Sequence, residues 1–411
     1  MVDDPGDGGD ARPPRSSPRL LLDRTFGAYF VGRLLWATGV WVYTVAAAIV
    51  VFNLTRSTLL VGMVSVAHFL PQMLLTPWSG AQADRSDRRK QVVVGRVISG
   101  SASALLVVSI MLIGLDGMVG AIAVIVAALV TGIGDALGAP AAHALVPAMV
   151  RPNELPAAVA LDSVPFTAAR AIGPALGALL VVSLGPAAAF SFPMLASFAF
   201  ALIVLTLPIR DIERPQVKDR SVLAGLRYVR SRPVLMALLL GIATIGLGID
   251  PVITLTPEIA KGLGGGSSLV GAMASAFGAG AGVAFLFLGL IRRLLGVSRQ
   301  GSMGLLVIAV SMLSLAASPA PEFAIASLVL GGMGYTFALT ALTTGVQQLV
   351  DEDMRGRVMA LWAVAFLGSR PLAAAANGAV ADLSSPVIAL LLTTAVVVGG
   401  AVLVRPSKLG A

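Results

Sequence analysis

The sequence predicts an all-α polytopic membrane protein, with twelve transmembrane helices in two pseudo-symmetric six-helix bundles. Three observations carry that prediction. Hydrophobic residues make up 57% of the 411-residue chain and charged residues only 12%, whereas a soluble domain carries about 25% charged. Apolar stretches recur along it, and about 20 helical residues suffice to cross a 30 Å hydrocarbon core. The longest polar interruption, residues 209–232, divides six such stretches from six. With no water in hydrocarbon to satisfy backbone groups, each stretch closes its hydrogen bonds within itself as a helix.

Taken in order, residues 1–22 are rich in Pro, Gly and Asp and read as a disordered cytoplasmic tail without the apolar run of a secretory signal. A first bundle, 23–208, holds helices at 26–53, 59–82, 91–114, 118–150, 155–184 and 187–208. Residues 209–232 form a cytoplasmic linker. In it Val222, Leu223, Leu226, Tyr228 and Val229 alternate with Arg220, Arg227 and Arg230, the pattern of a short amphipathic helix on a membrane surface. A second bundle, 233–405, holds helices at 233–258, 267–291, 299–317, 322–350, 356–382 and 386–404, and 406–411 is a second cytoplasmic tail. Gly114 to Gly117, Gly185-Pro186, Gly262 to Ser268 and Pro319 to Pro321 supply turns.

Charge sets the orientation. Of 29 Lys and Arg, Arg56 and Lys261 fall on the outer side, Arg33, Arg170 and Arg370 fall within spans, and the other 24 lie in cytoplasmic tails, loops or helix ends. The positive-inside rule then places both termini in the cytoplasm. The net charge of +8 is therefore a topology signal and implies no nucleic-acid partner. With no cysteine and two histidines, neither a disulfide framework nor a metal site is expected, and no cofactor.

The loop between the second and third helices, "GAQADRSDRR", concentrates charge between two oily stretches. Gly289, 209 residues beyond Gly80, opens "GLIRRLLGVSR" at the matching place in the second half. That match points to an internal duplication of six helices, a common plan for transporters built around a central site.

This loop resembles the signature G-x-x-x-D-R-x-G-R-R/K of the major facilitator superfamily. Gly80, Asp84, Arg85, Arg88 and Arg89 match, while Asp87 replaces the second glycine. The resemblance implies a conformational switch, with Gly80 permitting close helix approach and Asp84 facing a helix amino terminus. In the fifth helix, "RAIGPALGA" resembles the G-P-x-x-G motif of antiporter members, through Gly173, Pro174 and Gly177. Gly173 and Gly177 form a small-xxx-small face, and Pro174 bends the span. "SVLAGLRYVRSRPVL", "MRGRVMALW" and "ALVPAMVRPNEL" are similar to bacterial drug and siderophore exporters. The resemblance implies proton-coupled export of a small amphipathic substrate across a bacterial inner membrane through alternating access, by a monomer in contact with membrane lipid. An uptake permease or a lipid flippase of the same fold is the alternative. A membrane enzyme lacks support, since no HxxxxD, G-x-S-x-G or metal-ligand cluster occurs, and no phosphate-binding G-x-x-x-x-G-K-[ST] loop supports ATP-driven transport.

Ionisable groups inside a membrane are costly and are functional candidates by default. Asp135, in "TGIGDALGAP", is the first candidate for proton coupling, with a structural Asp–Arg pair as its alternative. Asp250 is the second: Gly246, Gly248, Pro251 and Pro257 should loosen or break the seventh helix beside it. Asp162 lies nearer the cytoplasmic end of the fifth helix. Arg33, Arg170, Arg370, His68, Tyr335 and Asn377, with Gln72, are candidates for a polar substrate cavity. Two departures from the antiporter pattern stand out. Ala128 occupies the place of a usual fourth-helix Arg, and the first span carries no acid.

Overall fold

The computed structural model describes residues 15, 17–83, 86–208 and 222–405. Among these, eleven helical segments are long and apolar enough to cross a membrane. One of them, Leu155–Thr206, has 52 residues, roughly 78 Å at 1.5 Å per residue, far more than one crossing needs. It reverses at Gly185, where φ is 83° and ψ 173°, a backbone conformation open to glycine. Leu155–Thr206 is thus two spans, and the total is the expected twelve. The others are Phe26–Thr55, Thr58–Ala83, Arg88–Ile113, Gly117–Met149, Pro321–Leu349, Arg355–Leu383 and Pro386–Leu403, with two irregular segments that supply three more, since Ser267–Ala316 holds two spans.

Those two correct the sequence boundaries. The expected polar gap at 292–298 is helical, because Ser267–Ala316 runs through it and turns only at Gly296 (φ 70°). One glycine performs the reversal there, and Arg292 and Arg293 stay helical and exposed. The seventh span is broken as its Gly and Pro residues predict, into Pro233–Ile249, Pro251–Thr254 and Thr256–Gly262. Pro251 has no N–H, so the helix loses the bond that would reach back to the Leu247 carbonyl.

The expected tail is also corrected. Ser17–Leu21 forms a short helix with Leu20 fully buried. Arg15 binds Glu154 through Nε and Nη2, both at 2.8 Å, and Asp23 through Nη1 at 2.6 Å. The bond to Glu154 holds the Arg15 guanidinium above its ordinary range. Burial alone would push the Asp23 carboxyl up, but the N–H groups of Phe26 and Thr25 and the Arg15 charge together hold it below its ordinary value. The linker helix forms at Val222–Arg230. It buries Val229 against the second bundle, and Tyr228 Oη donates to Asp351 at 2.9 Å. Arg220 lies outside the described residues.

The duplication is legible in three dimensions. Gln91 Nε2 donates to the Leu137 carbonyl at 3.0 Å, and Gln300 Nε2 to the Phe337 carbonyl at 3.2 Å. Gly95 packs on the backbone of Gly134 and Gly138, and Gly304 on that of Gly334 and Ala338. Gly132 meets the His68 carbonyl as Gly332 meets that of Phe277. The offset is 209 residues for the second and third helices and 200 for the fourth and fifth. A side chain at these glycines would collide with backbone, so glycine sets how closely the helices cross.

The bundles meet along two seams. In one, Gly62 of the second helix faces the Ala374 carbonyl, and Gly378 of the eleventh faces Thr58 and Leu59. In the other, Gly278 of the eighth helix faces the Arg170 backbone and Gly271 faces Pro174 and Ala178. At the end opposite the termini, hydrogen bonds tie the bundles together. Asp382 accepts from Ser57 Oγ (2.5 Å) and Thr58 N (2.7 Å), and Thr58 Oγ1 donates to Glu258 (2.5 Å).

Candidate functional site

Three buried polar clusters lie within the spans. The first centres on Asp135, 4% exposed on the fourth helix. Its Oδ1 accepts from Arg96 Nη1 at 2.7 Å and Ser99 Oγ at 3.2 Å, and His68 Nε2 stands 3.8 Å from Oδ2. With Trp36, Tyr43, Ser103 and Thr131, the side chains of Asp135, Ser99 and His68 line a small pocket inside the first bundle. Arg96, which the sequence places at a cytoplasmic helix end, is 1% exposed and stacks on Trp36 at 4.4 Å. Arg96 thereby forms with Asp135 the buried Asp–Arg pair that was the alternative reading of this acid. A signal existed in the sequence. Arg96, Ser99 and Ser103 recur at i, i+3 and i+7, a polar stripe on a spanning helix.

The second cluster joins the first, fourth and fifth helices. Arg33 Nε lies 3.2 Å from Asp162 Oδ1, and His143 Nδ1 2.8 Å from Asp162 Oδ2. Sequence spacing gave no hint of this grouping, because its members are far apart along the chain. His143 had no role in the sequence reading.

The third lies in the second bundle at the seventh-helix break. Asp250 is 2% exposed, accepts from Asn377 Nδ2 at 2.9 Å and from Thr254 Oγ1 at 3.0 Å, and forms no ion pair among the described residues. Thr393 Oγ1 donates to Asn377 Oδ1 at 2.9 Å, fixing the amide so that its N–H₂ points at the acid.

Arg170 and Arg370 stand at the seams, 200 residues apart in sequence. Arg170 places its guanidinium 4.5 Å from the Tyr335 ring of the opposite bundle and 5.3 Å from that of Trp41. Arg370 stands 3.8 Å from Phe69, again of the opposite bundle, and within electrostatic reach of Asp250 and Arg170. The Nε of each is buried without a hydrogen-bond partner. Neither makes an ion pair among the described residues. His68 lies edge-on to Phe69 at 4.9 Å. Gln72 is turned back on its own helix, donating to the His68 carbonyl.

At the signature loop, Asp84 and Arg85 lie outside the described residues. Gly80 does not make the close approach expected of it, since a Cβ there would meet nothing within 4 Å. Asp87, the residue that departs from the signature, caps the third helix by accepting from Lys90 N at 3.2 Å. Arg88 donates to the Ala83 and Ala144 carbonyls, joining the second, third and fourth helices. Arg89 is partly exposed. In the fifth helix, Gly173 faces Trp41 and Thr38 and Gly177 faces Val42, so both glycines pack on the first helix. Pro174 instead faces Gly271 across the seam.

Comparison with known proteins agrees with this architecture. The family model described as "Transmembrane secretion effector" matches residues 17–411. The enterobactin exporter EntS of Shigella boydii serotype 4 is 26% identical over 380 residues, covering 90% of this chain and 88% of that protein. The EntS of Escherichia coli O81 gives the same figures. Among solved structures, a D-xylose–proton symporter superposes with a TM-score of 0.75 at 13% identity, covering 96% of this chain and all of the other. An inward-facing, occupied bacterial homologue of the lysosomal transporter Spinster gives 0.74 at 15%, covering 96% and 97%. These likenesses show the fold, and the family model covers nearly the whole chain. The chain is a multi-pass membrane transporter, not an enzyme, and it belongs to the transmembrane secretion effector family of the major facilitator superfamily.

Proposed function

We propose that the protein exports a small amphipathic molecule, drug-like or siderophore-like, across the bacterial inner membrane by proton antiport through alternating access. Both termini then face the cytoplasm, and the bonds of Ser57, Thr58, Glu258 and Asp382 close the outer face. One observation carries the reading: Arg170 and Arg370 are held at the bundle seams by aromatic rings, the Nε of each has no hydrogen-bond partner, and neither makes an ion pair among the described residues. Uncompensated charge at membrane depth is costly and is kept where it meets a cargo. The surrounding Trp41, Phe69, Phe166, Tyr335 and Phe366 offer flat apolar faces for the rest of such a molecule.

Of the two proposed coupling acids, Asp250 fits better than Asp135. Asp135 is engaged by Arg96 inside one bundle, so ionisation there is already compensated. Among the described residues Asp250 has only neutral donors, at a break in a helix that faces the other bundle. Exporter homology supports the direction, since the named relatives are exporters of enterobactin. Reconstituted vesicles tested with lipophilic drugs and siderophores under an imposed pH gradient check the reading. Gradient-driven movement of at least one compound is expected, and movement indifferent to the gradient would rule out proton antiport.

A further inference from the structure

Both histidines of the chain occupy the same kind of setting: each faces an aspartate that an arginine also holds. His68 stands beside Asp135 and Arg96, and His143 beside Asp162 and Arg33. Trp36 separates the two sets, with the Arg33 and Arg96 guanidinium groups 5.3 and 4.4 Å from its ring.

The sets differ in exposure. The His68 side chain is 8% exposed and the His143 side chain 62%, while both aspartates are buried. Asp162 Oδ2 lies 2.8 Å from His143 Nδ1. Its Oδ1 is buried without a hydrogen-bond partner, although the Arg33 charge is 3.2 Å away. A buried carboxylate with an unused oxygen is thus joined to solvent by an imidazole, a group that takes and gives protons near neutral pH.

We propose that Asp162 and His143 form a proton-exchange site open to the side of the membrane where the termini lie. The inference rests on the antiport reading above. A proton carried on the Asp162 carboxyl passes to His143 Nδ1, giving a carboxylate and an imidazolium. The imidazolium then releases its Nε2 proton to water and keeps Nδ1–H bonded to the carboxylate. Arg33, bonded to Asp162 throughout, compensates the negative charge left behind. The other charged or titratable groups near the pair are Tyr29, which donates to the Ala142 carbonyl, Arg88, which donates to that of Ala144, and Arg96 beyond Trp36. None of these three bonds is to the imidazole, whose ring nitrogens are each approached by Arg33 Nη2 at 3.4 Å.

The test uses the full chain in liposomes with ethidium as the probe and a pH gradient. The pH on the side of the termini is varied between about 6 and 8, where imidazole changes charge. The wild type is expected to change rate several-fold over that range. H143Q, altered at a largely exposed side chain, is expected to bind ethidium as well as the wild type yet lose the dependence. D162N is expected to lose gradient-driven movement. An H143Q profile that follows the wild type overturns the exchange site while leaving antiport standing. A wild type indifferent to the gradient removes the antiport reading instead. In that case the pair is judged by magnetic resonance of the two imidazoles, assigned with H143Q. A carboxylate-bonded His143 Nδ1 that D162N abolishes supports the pair, and its absence from the wild type overturns it.

Discussion

Arg96 Nη1 lies 2.7 Å from Asp135 Oδ1, and this bond fastens the third helix to the fourth where Gly95 and Gly134 already bring them together. Removing one member leaves a buried charge alone, which typically costs about 3–5 kcal/mol, whereas removing both is often nearly neutral. D135N or R96Q alone is therefore expected to lower the detergent melting temperature markedly. The double variant R96Q/D135N should recover most of the loss. Equal instability of the double and single variants would show that the pair is not what holds these helices.

Asp250 is expected to behave in the opposite way. Asn at this position keeps the shape: its Oδ1 can accept from Asn377 Nδ2, and its Nδ2 can donate to the Thr254 hydroxyl instead of accepting from it, so D250N should fold and melt close to the wild type. It cannot bind and release a proton, so gradient-driven transport should disappear while substrate binding persists. Retained gradient-driven transport in D250N would exclude it as the coupling acid.

The ties at the far end predict a shift in conformation. Asp382 accepts charge-assisted bonds from Ser57 and Thr58, each worth about 1.5–3 kcal/mol. Because the chain has no cysteine, a single introduced thiol reports access cleanly. T256C replaces a fully buried residue near this end. Its labelling by a water-soluble maleimide should accelerate about tenfold or more when D382A is added, which matches the loss of one such bond. Unchanged labelling would mean that packing alone holds the face shut.

Asp87 gives a graded test of capping. An N-cap aspartate changed to alanine costs about 1 kcal/mol, and to glycine only a few tenths. D87G, which restores the residue usual in the family signature, is expected to melt close to the wild type, with D87A clearly below both. The reverse order would dissociate the residue from capping.

At the amino-terminal clamp, Asp23 Oδ1 accepts from Thr25 N and Phe26 N, both at 2.9 Å. Its carboxyl is held below the ordinary value, so the ionised form stabilises the fold. That contribution is present above the ordinary carboxylate range and is lost as pH falls through the lowered folded-state value. The melting difference between wild type and D23N should therefore be largest at neutral pH and shrink in acid. A constant difference would assign the effect to shape rather than charge.

The number and type of spans were legible in the sequence because hydrocarbon permits so few solutions. Gly185-Pro186 and the broken seventh helix were legible too, since φ above zero and a missing N–H are local properties. The end of the eighth helix was not, because charged Arg292 and Arg293 read as loop although nothing prevents them from remaining helical. Within the site, single residues such as Asp250, Arg370 and Asn377 were found by their rarity in spans. Their pairings were hidden: Arg33 with Asp162 and Arg96 with Asp135 depend on which faces of distant helices meet. Asp87 was misread as a mere departure because family resemblance supplied the expected glycine, whereas the three-residue step to Lys90 N carries the capping geometry.

The change of offset from 209 to 200 residues has a consequence for the surrounding lipid. The second repeat is nine residues shorter than the first between its third and fourth helices, about 7 Å of helix on each arm of the hairpin. In the first repeat that extra length ends in Met111, Leu112, Ile113 and Val119, which are 74–80% exposed. One flank of the molecule therefore presents a taller oily wall than the other. A bilayer of uniform thickness cannot match both, so the leaflet opposite the termini must swell beside this hairpin or the whole protein must lean towards it.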